Sequence, residues 1–224
     1  MERRESLDCS DSVDLCDFCY PSADRSILYE DETAYVMPSL GQFVEGYLLL
    51  INKDHRECVA EATNDQFRRV KAGIEDALSE VYGTHCFFEH GRVGNCYQRS
   101  TNRICFHAHL HCLPLPGGFV DRIAADFDGR VVEGVSELRS IREEMPHYLY
   151  VEPADGPPRV FSVETDIERQ YLRKQACKTL GLDPSDADWQ SNPFRDRMQS
   201  TADRLNGVLE DAIAGVALPT VGSA

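Results

Sequence analysis

His107, His109 and His111 alternate in FHAHLHCLP, and the chain holds only 7 histidines in 224 residues. On a strand, alternation puts all three rings on one face, with about 6.5–7 Å between successive same-face residues. Imidazole is nucleophile, proton carrier and metal ligand near neutral pH. Three on one face therefore point to chemistry there. Ala108, Leu110 and Cys112 take the other face and are expected in the core. Cys16 and Cys19, in CDFC, have the spacing with which two thiolates share one tetrahedral metal. Such a pair needs two more ligands. His55, just past YLLLINK, and His107 complete a Cys2His2 set, the composition of a closed structural zinc site. The alternatives are a pair of surface thiols near a polar chain end and, for His109, a metal ligand or a core histidine with its hydrogen bonds satisfied.

These residues need elements to hold them. SILYE (26–30) and AYVMP (34–38) read as strands joined by the acidic turn EDET, and YLLLINK (47–53) as a buried strand after Gly46. Thr63 or Asn64 can cap a helix in which Phe67, Val70, Ile74, Leu78 and Val81 recur at helical spacing, stopped by Gly83. HCFFEH (85–90) reads as a strand and 91–103 as a long polar loop. ICFHAHLHCLPL (104–115) is the histidine strand, ended by Pro114, Pro116 and Gly117–Gly118. Farther on, HYLYVEP (147–153) and RVFSVE (159–164) flank an Asp-Gly-Pro-Pro turn as a hairpin. Residues 167–182 and 195–215 read as helices, and the last nine residues as a tail. The expected class is α+β, an antiparallel sheet with one long helix and a C-terminal hairpin-plus-helices extension. The expected division is a flexible lead over 1–13, a domain over 14–118, and an extension over 119–224 packed on it.

Composition narrows the function. Lys and Arg number 23 against 38 Asp and Glu, a net charge of −15. That balance argues against tight nucleic-acid binding. No apolar run has the length of a membrane span. The N-terminus MERRESLDCSDSVD is polar and not a secretory signal. With nine cysteines and no such signal, thiols and metal ligands are expected rather than a disulfide framework, in the cytoplasm. Cys58, Cys86, Cys105 and Cys177 are expected as small buried hydrophobes.

CDFC, YEDE, GYLLLINKDH and FHAHLHCLP together resemble the histidine triad (HIT) superfamily over residues 14–116. The resemblance implies a HIT-like sheet and a structural Zn2+ on Cys16, Cys19, His55 and His107. It implies that His109 attacks an α-phosphorus to give a covalent phospho-histidine, resolved by water or a second acceptor. His111 would orient a ring or bind phosphate oxygens. A histidine rather than a glutamine at this third place favours hydrolysis over transfer. The implied substrate is a nucleotide or nucleotide conjugate, cleaved at an anhydride, ester or phosphoramidate. Pairing of protomers through their sheets implies a homodimer.

The sequence also departs from the family. Ser39 stands where many members carry an Asp for the ribose hydroxyls, and Glu89-His90-Gly91 replaces an Asn-x-Gly. The loop before the triad is longer and carries Gln98, Arg99, Ser100, Thr101, Asn102 and Arg103. Arg99 and Arg103 can clamp phosphate by bidentate hydrogen bonds; solvated side chains are the plainer reading. Ser100, Ser39 and Glu89 are further candidates for substrate contact, Glu89 equally for a salt bridge to a loop Arg. More loosely, YLYVE and QYLRKQACKTLGL resemble a region of longer members, with Gln170 and Arg173 on one helix face, from which they could reach over the active site and read the substrate. A stripe of Tyr171, Leu172, Ala176 and Leu180 explains that helix as packing alone. Other classes stay open: a transferase or phosphorylase of the same superfamily, a metallohydrolase with His107 and His109 on zinc, and a non-catalytic sensor of nucleotides or RNA ends.

Overall fold

The computed structural model describes residues 16–22, 26–92 and 107–217. The expected lead over 1–13 lies outside them. β1 (Tyr29–Glu30) and β2 (Ala34–Pro38) are joined by a turn in which the Asp31 carboxylate accepts from the Thr33 and Ala34 amides. β3 (Leu48–Asn52) leads into the short α1 (Val59–Ala62) and the long α2 (Asp65–Tyr82). Asn64 caps α2 by accepting from the Phe67 amide, and Gly83 ends it at φ 77°, in the left-handed region. β4 (Cys86–Gly91) and β5 (His109–Leu113) follow.

The next stretch holds α3 (Phe119–Ala124), β6 (Gly129–Val131) and α4 (Leu138–Glu144), none of them read from the sequence. The hairpin is β7 (Tyr148–Pro153) and β8 (Arg159–Ser162). The helix expected over 167–182 is α5 (Tyr171–Thr179), delayed because Gln170 lies at φ 60°. The one expected over 195–215 is broken at Asn206–Gly207 into α6 (Arg195–Leu205) and α7 (Val208–Gly215).

The eight strands form one antiparallel sheet in the order β1-β2-β3-β5-β4-β7-β8-β6. The α+β class expected from the sequence is what the chain adopts. The hairpin does more than pack on the first part: β7 pairs with β4 from Cys86–Pro153 to Gly91–Tyr148, so the ladder runs on past residue 118. A second copy adding to this sheet would find edges of two residues at β1 and three at β6.

Helices cover both faces. On one, Phe67, Val70, Ile74 and Leu78 of α2 pack on Val36, Leu48, Leu50, Leu110 and Cys112. On the other, Phe119 and Ile123 of α3 and Leu172 and Ala176 of α5 meet Leu49, Ile51, Phe88 and Leu113. Each fully buried Leu, Ile or Phe contributes about 1.5–3 kcal/mol, so the two apolar faces fix the pleat. The histidines therefore have no freedom to change sides. Cys58, Cys86, Cys112 and Cys177 are buried thiols of this core. Among the described residues no helix is long and apolar enough to cross a membrane.

Candidate active site and metal centre

β5 lies between β3 and β4, with His109 opposite Ile51 and His111 opposite both Leu49 and Phe88. Those partners belong to the α3/α5 face, and Leu110 and Cys112 to the α2 face. The alternation read from the sequence is thus the alternation of the sheet.

Cys16, Cys19, His55 and His107 converge at the start of this strand. Their ligand atoms all lie within 4.8 Å of one another, and they could hold a metal ion. Cys16 Sγ is 3.3 Å from His107 Nδ1, and Cys19 Sγ is 3.1 Å from His55 Nδ1. Tetrahedral zinc, with bonds of about 2.0–2.3 Å, separates its ligands by about 3.4–3.8 Å, close to what the side chains already show. His107 Nε2 donates to the carbonyl of Asn52 at 2.6 Å, the last residue of β3. A carbonyl only accepts, so Nε2 carries the proton and the Nδ1 lone pair is left for metal. The donor set and spacing fit the group.

His109 begins where that cluster ends. Its Nδ1 donates to the carbonyl of His107 at 2.7 Å, which leaves a lone pair on Nε2. Burial, first of all, lowers its pKa to about 4; the charges of His107 and Arg173 push the same way. The ring is therefore neutral at pH 7, as a nucleophile must be. Phe18, from inside the CDFC segment, lies against it with ring centroids 4.9 Å apart. No described residue bonds to His109 Nε2.

His111 is held differently. It stacks on Phe88 at 4.6 Å and meets the His109 ring edge-on at 4.7 Å. Its Nδ1 is 2.7 Å from the hydroxyl of Tyr47, and burial holds its pKa well below the usual histidine range. Tyr47 in turn is bonded by Arg173 of α5. The Arg173 guanidinium also donates to Ser39 Oγ and to the carbonyls of Leu40, Gly41 and Ala187. Every one of these acceptors is neutral. His90, next along β4, accepts from the Leu172 amide at 3.1 Å and pins α5 to the histidine face. Burial lowers its pKa to about 3.

The other residues named from the sequence are placed as follows. Ser39 is buried and its hydroxyl serves Arg173. Glu89 lies on the opposite face of the sheet, where its carboxylate accepts from the Val59 amide at 2.6 Å and the Tyr148 hydroxyl at 2.8 Å. It is not gathered with the histidines, because strand alternation sends His90 there instead. Arg99, Ser100 and Arg103, with Gln98, Thr101 and Asn102, lie outside the described residues. With its amide turned so that nitrogen and oxygen exchange places, Gln170 donates to the Ala187 carbonyl and accepts from the Trp189 indole. Arg173, for which the sequence offered both a packing helix and a reach over the site, is brought under the triad. Tyr47, His90 and Phe18 were missed. For Tyr47 and His90 a signal existed: they fall in the same alternation as Leu49 and Phe88.

No family model and no curated protein matches the chain. Among solved structures, a hypothetical histidine triad nucleotide-binding protein of Sulfolobus tokodaii is 24% identical, with 46% of this chain and 70% of that one covered and a TM-score of 0.30. A HIT family hydrolase from Clostridium thermocellum is 22% identical over 46% of this chain and 92% of its own, at a TM-score of 0.30. Yeast Ap4A phosphorylase Apa2 is 11% identical over 87% and 82%, at 0.43. All three likenesses are distant, and the functional reading rests on the side chains.

Proposed function

We propose that the protein is a zinc-containing member of the HIT superfamily that hydrolyses nucleotide-type phosphate compounds through a covalent phospho-His109. The observation that carries this is the bond from His109 Nδ1 to the His107 carbonyl. It fixes the tautomer with a lone pair on Nε2, in a ring that burial keeps uncharged. That nitrogen attacks phosphorus, a P–N bond forms, and the bond to the leaving group breaks. Water then attacks the same phosphorus and releases a proton to solvent, the P–N bond breaks with its electron pair returning to Nε2, and the ring returns to its starting state. Two modest displacements replace one difficult one. An anhydride leaving group departs as a phosphate anion and needs no proton.

Arg173 supports the reading through charge. Among the described residues no carboxylate pairs with this buried guanidinium. A buried positive charge without a counter-charge is costly, and the negative charge that grows on the phosphoryl oxygens during attack offsets it from a distance, with no direct bond. In the zinc centre, Cys16, Cys19, His55 and His107 would hold the metal. Through it these four residues would tie the CDFC segment to β5, a structural role that leaves the nucleophile to His109. His109 takes no part in that cluster, which tells against a metallohydrolase. A reducing cytoplasm, where the thiolates stay available, belongs to the same reading.

The test is a screen of wild type and His109→Ala over dinucleoside polyphosphates, nucleoside phosphoramidates and sugar nucleotides. Loss of the nucleophile should lower turnover by at least about 10³-fold at unchanged zinc content. A variant that keeps its activity, or loses its zinc, overturns the reading.

A further inference from the structure

The triad face contains one chain of hydrogen bonds whose direction is fixed at its far end. Arg173 is 4% exposed, and its five N–H groups are committed to the five acceptors named above. A guanidinium only donates. The Tyr47 oxygen must therefore accept from Arg173 Nη1, at 3.2 Å, and its own proton must go elsewhere. The other partner of that hydroxyl is His111 Nδ1, at 2.7 Å. Nδ1 is then the acceptor, and a neutral ring carries its proton on Nε2.

We infer that Arg173 is a positioning residue which, through Tyr47, fixes His111 as the Nε2–H tautomer and so presents that N–H to a phosphate held against His109. The inference rests on the nucleophilic role of His109. It goes further, because it assigns a task to the C-terminal helix α5. Without Arg173 the tyrosine hydroxyl can turn and accept from Nδ1–H with the same heavy-atom geometry, and the tautomer is no longer decided. Lysine cannot replace the planar fork that reaches Ser39, Tyr47, Gly41 and Ala187 together. Gly41 belongs to the device: it sits at φ 71°, and a Cβ there would come within 2.7 Å of Arg173 Nη2.

The chemical consequence is specific. No described residue accepts from His111 Nε2. The nucleophilic nitrogen of His109 and the N–H of His111 thus belong to adjoining rings on one face, one offering a lone pair and the other a proton. His111 donates a hydrogen bond to a phosphoryl oxygen and keeps its proton, since losing it would leave an imidazolate. The N–H acts on charge that grows on the phosphoryl oxygens as His109 attacks. Arg173 has no N–H left for substrate, so its influence passes through Tyr47.

The test is long-range proton–nitrogen NMR of histidine-labelled full-length protein at pH 7, read at His111 and requiring no substrate. Wild type should show His111 protonated on Nε2 alone. Arg173→Met and Tyr47→Phe should each give His111 a population protonated on Nδ1, and kcat should fall about 10²-fold with KM little changed. An Nδ1–H tautomer in wild type overturns the inference. So does a single unchanged Nε2–H tautomer in either folded variant. The wild-type spectrum decides the matter even if both variants fail to fold. It also separates this inference from the hydrolase reading: absence of turnover would sink that reading and leave the tautomer to be read.

Discussion

His109 and His111 stand two residues apart on one strand, yet the fold puts their protons on different nitrogens. The His107 carbonyl takes the Nδ1 proton of His109, and the Tyr47 hydroxyl fills the Nδ1 lone pair of His111. The alternation was legible in the sequence because a strand has a period of two. The division of labour was not, since it depends on Arg173, which lies 126 residues from Tyr47. On the other face, Glu89 yields a prediction of its own. Burial, with help from the Glu61 charge, pushes its carboxyl up to about 7 from an ordinary 4.5, against the Val59 amide, the Tyr148 hydroxyl and Arg142. The folded state binds this proton more tightly than the unfolded chain does. Its stabilisation is complete below about pH 4.5 and is lost as pH rises through 7. Denaturant melts of wild type minus Glu89→Gln should therefore fall across that window, by up to about 3 kcal/mol. A difference independent of pH contradicts the assignment.

At the scale of elements, the apolar period of α2 and the capping Asn64 and Gly83 were plain from sequence, because helix signals are local. β6 was not, because its three residues are all exposed and gain strand character only by pairing with β8. The CDFC segment packs on the sheet through Phe18, which lies against the α3/α5-side core and the His109 ring, while the cluster around Cys16 is small. The bond from the Tyr35 hydroxyl to the Phe18 carbonyl holds it, and a metal bound by Cys16, Cys19, His55 and His107 would anchor it further. Cys16→Ser should lose the metal and lower the melting temperature by roughly 10 °C. Metal analysis with calorimetry checks both, and a variant with full metal content or an unchanged melting temperature contradicts the site.

As a whole molecule, the chain builds one sheet from both parts of its sequence, and its C-terminal part delivers the cation beneath the triad. The resemblance read from residues 14–116 named the histidines and the four residues whose ligand atoms the fold brings within 4.8 Å of one another. The looser likeness farther on offered Arg173 as a residue reaching over the site but not its partners, because those contacts exist only once β7 has paired with β4 and α5 has closed over the face. The net charge of −15 also acts at this scale. Repulsion among surface carboxylates opposes the compact state. Raising salt from about 0.1 M to 1 M shortens the screening length from about 10 Å to 3 Å. The melting temperature should rise by several degrees, and a fall would show that repulsion is not limiting. Most direct for the chemistry is intact-mass spectrometry of the full-length protein, quenched during turnover of a dinucleoside polyphosphate. A nucleotidyl adduct that maps to His109 and is absent from His109→Ala is the expected result. Turnover with no adduct, or an adduct on another residue, would contradict a nucleophilic His109.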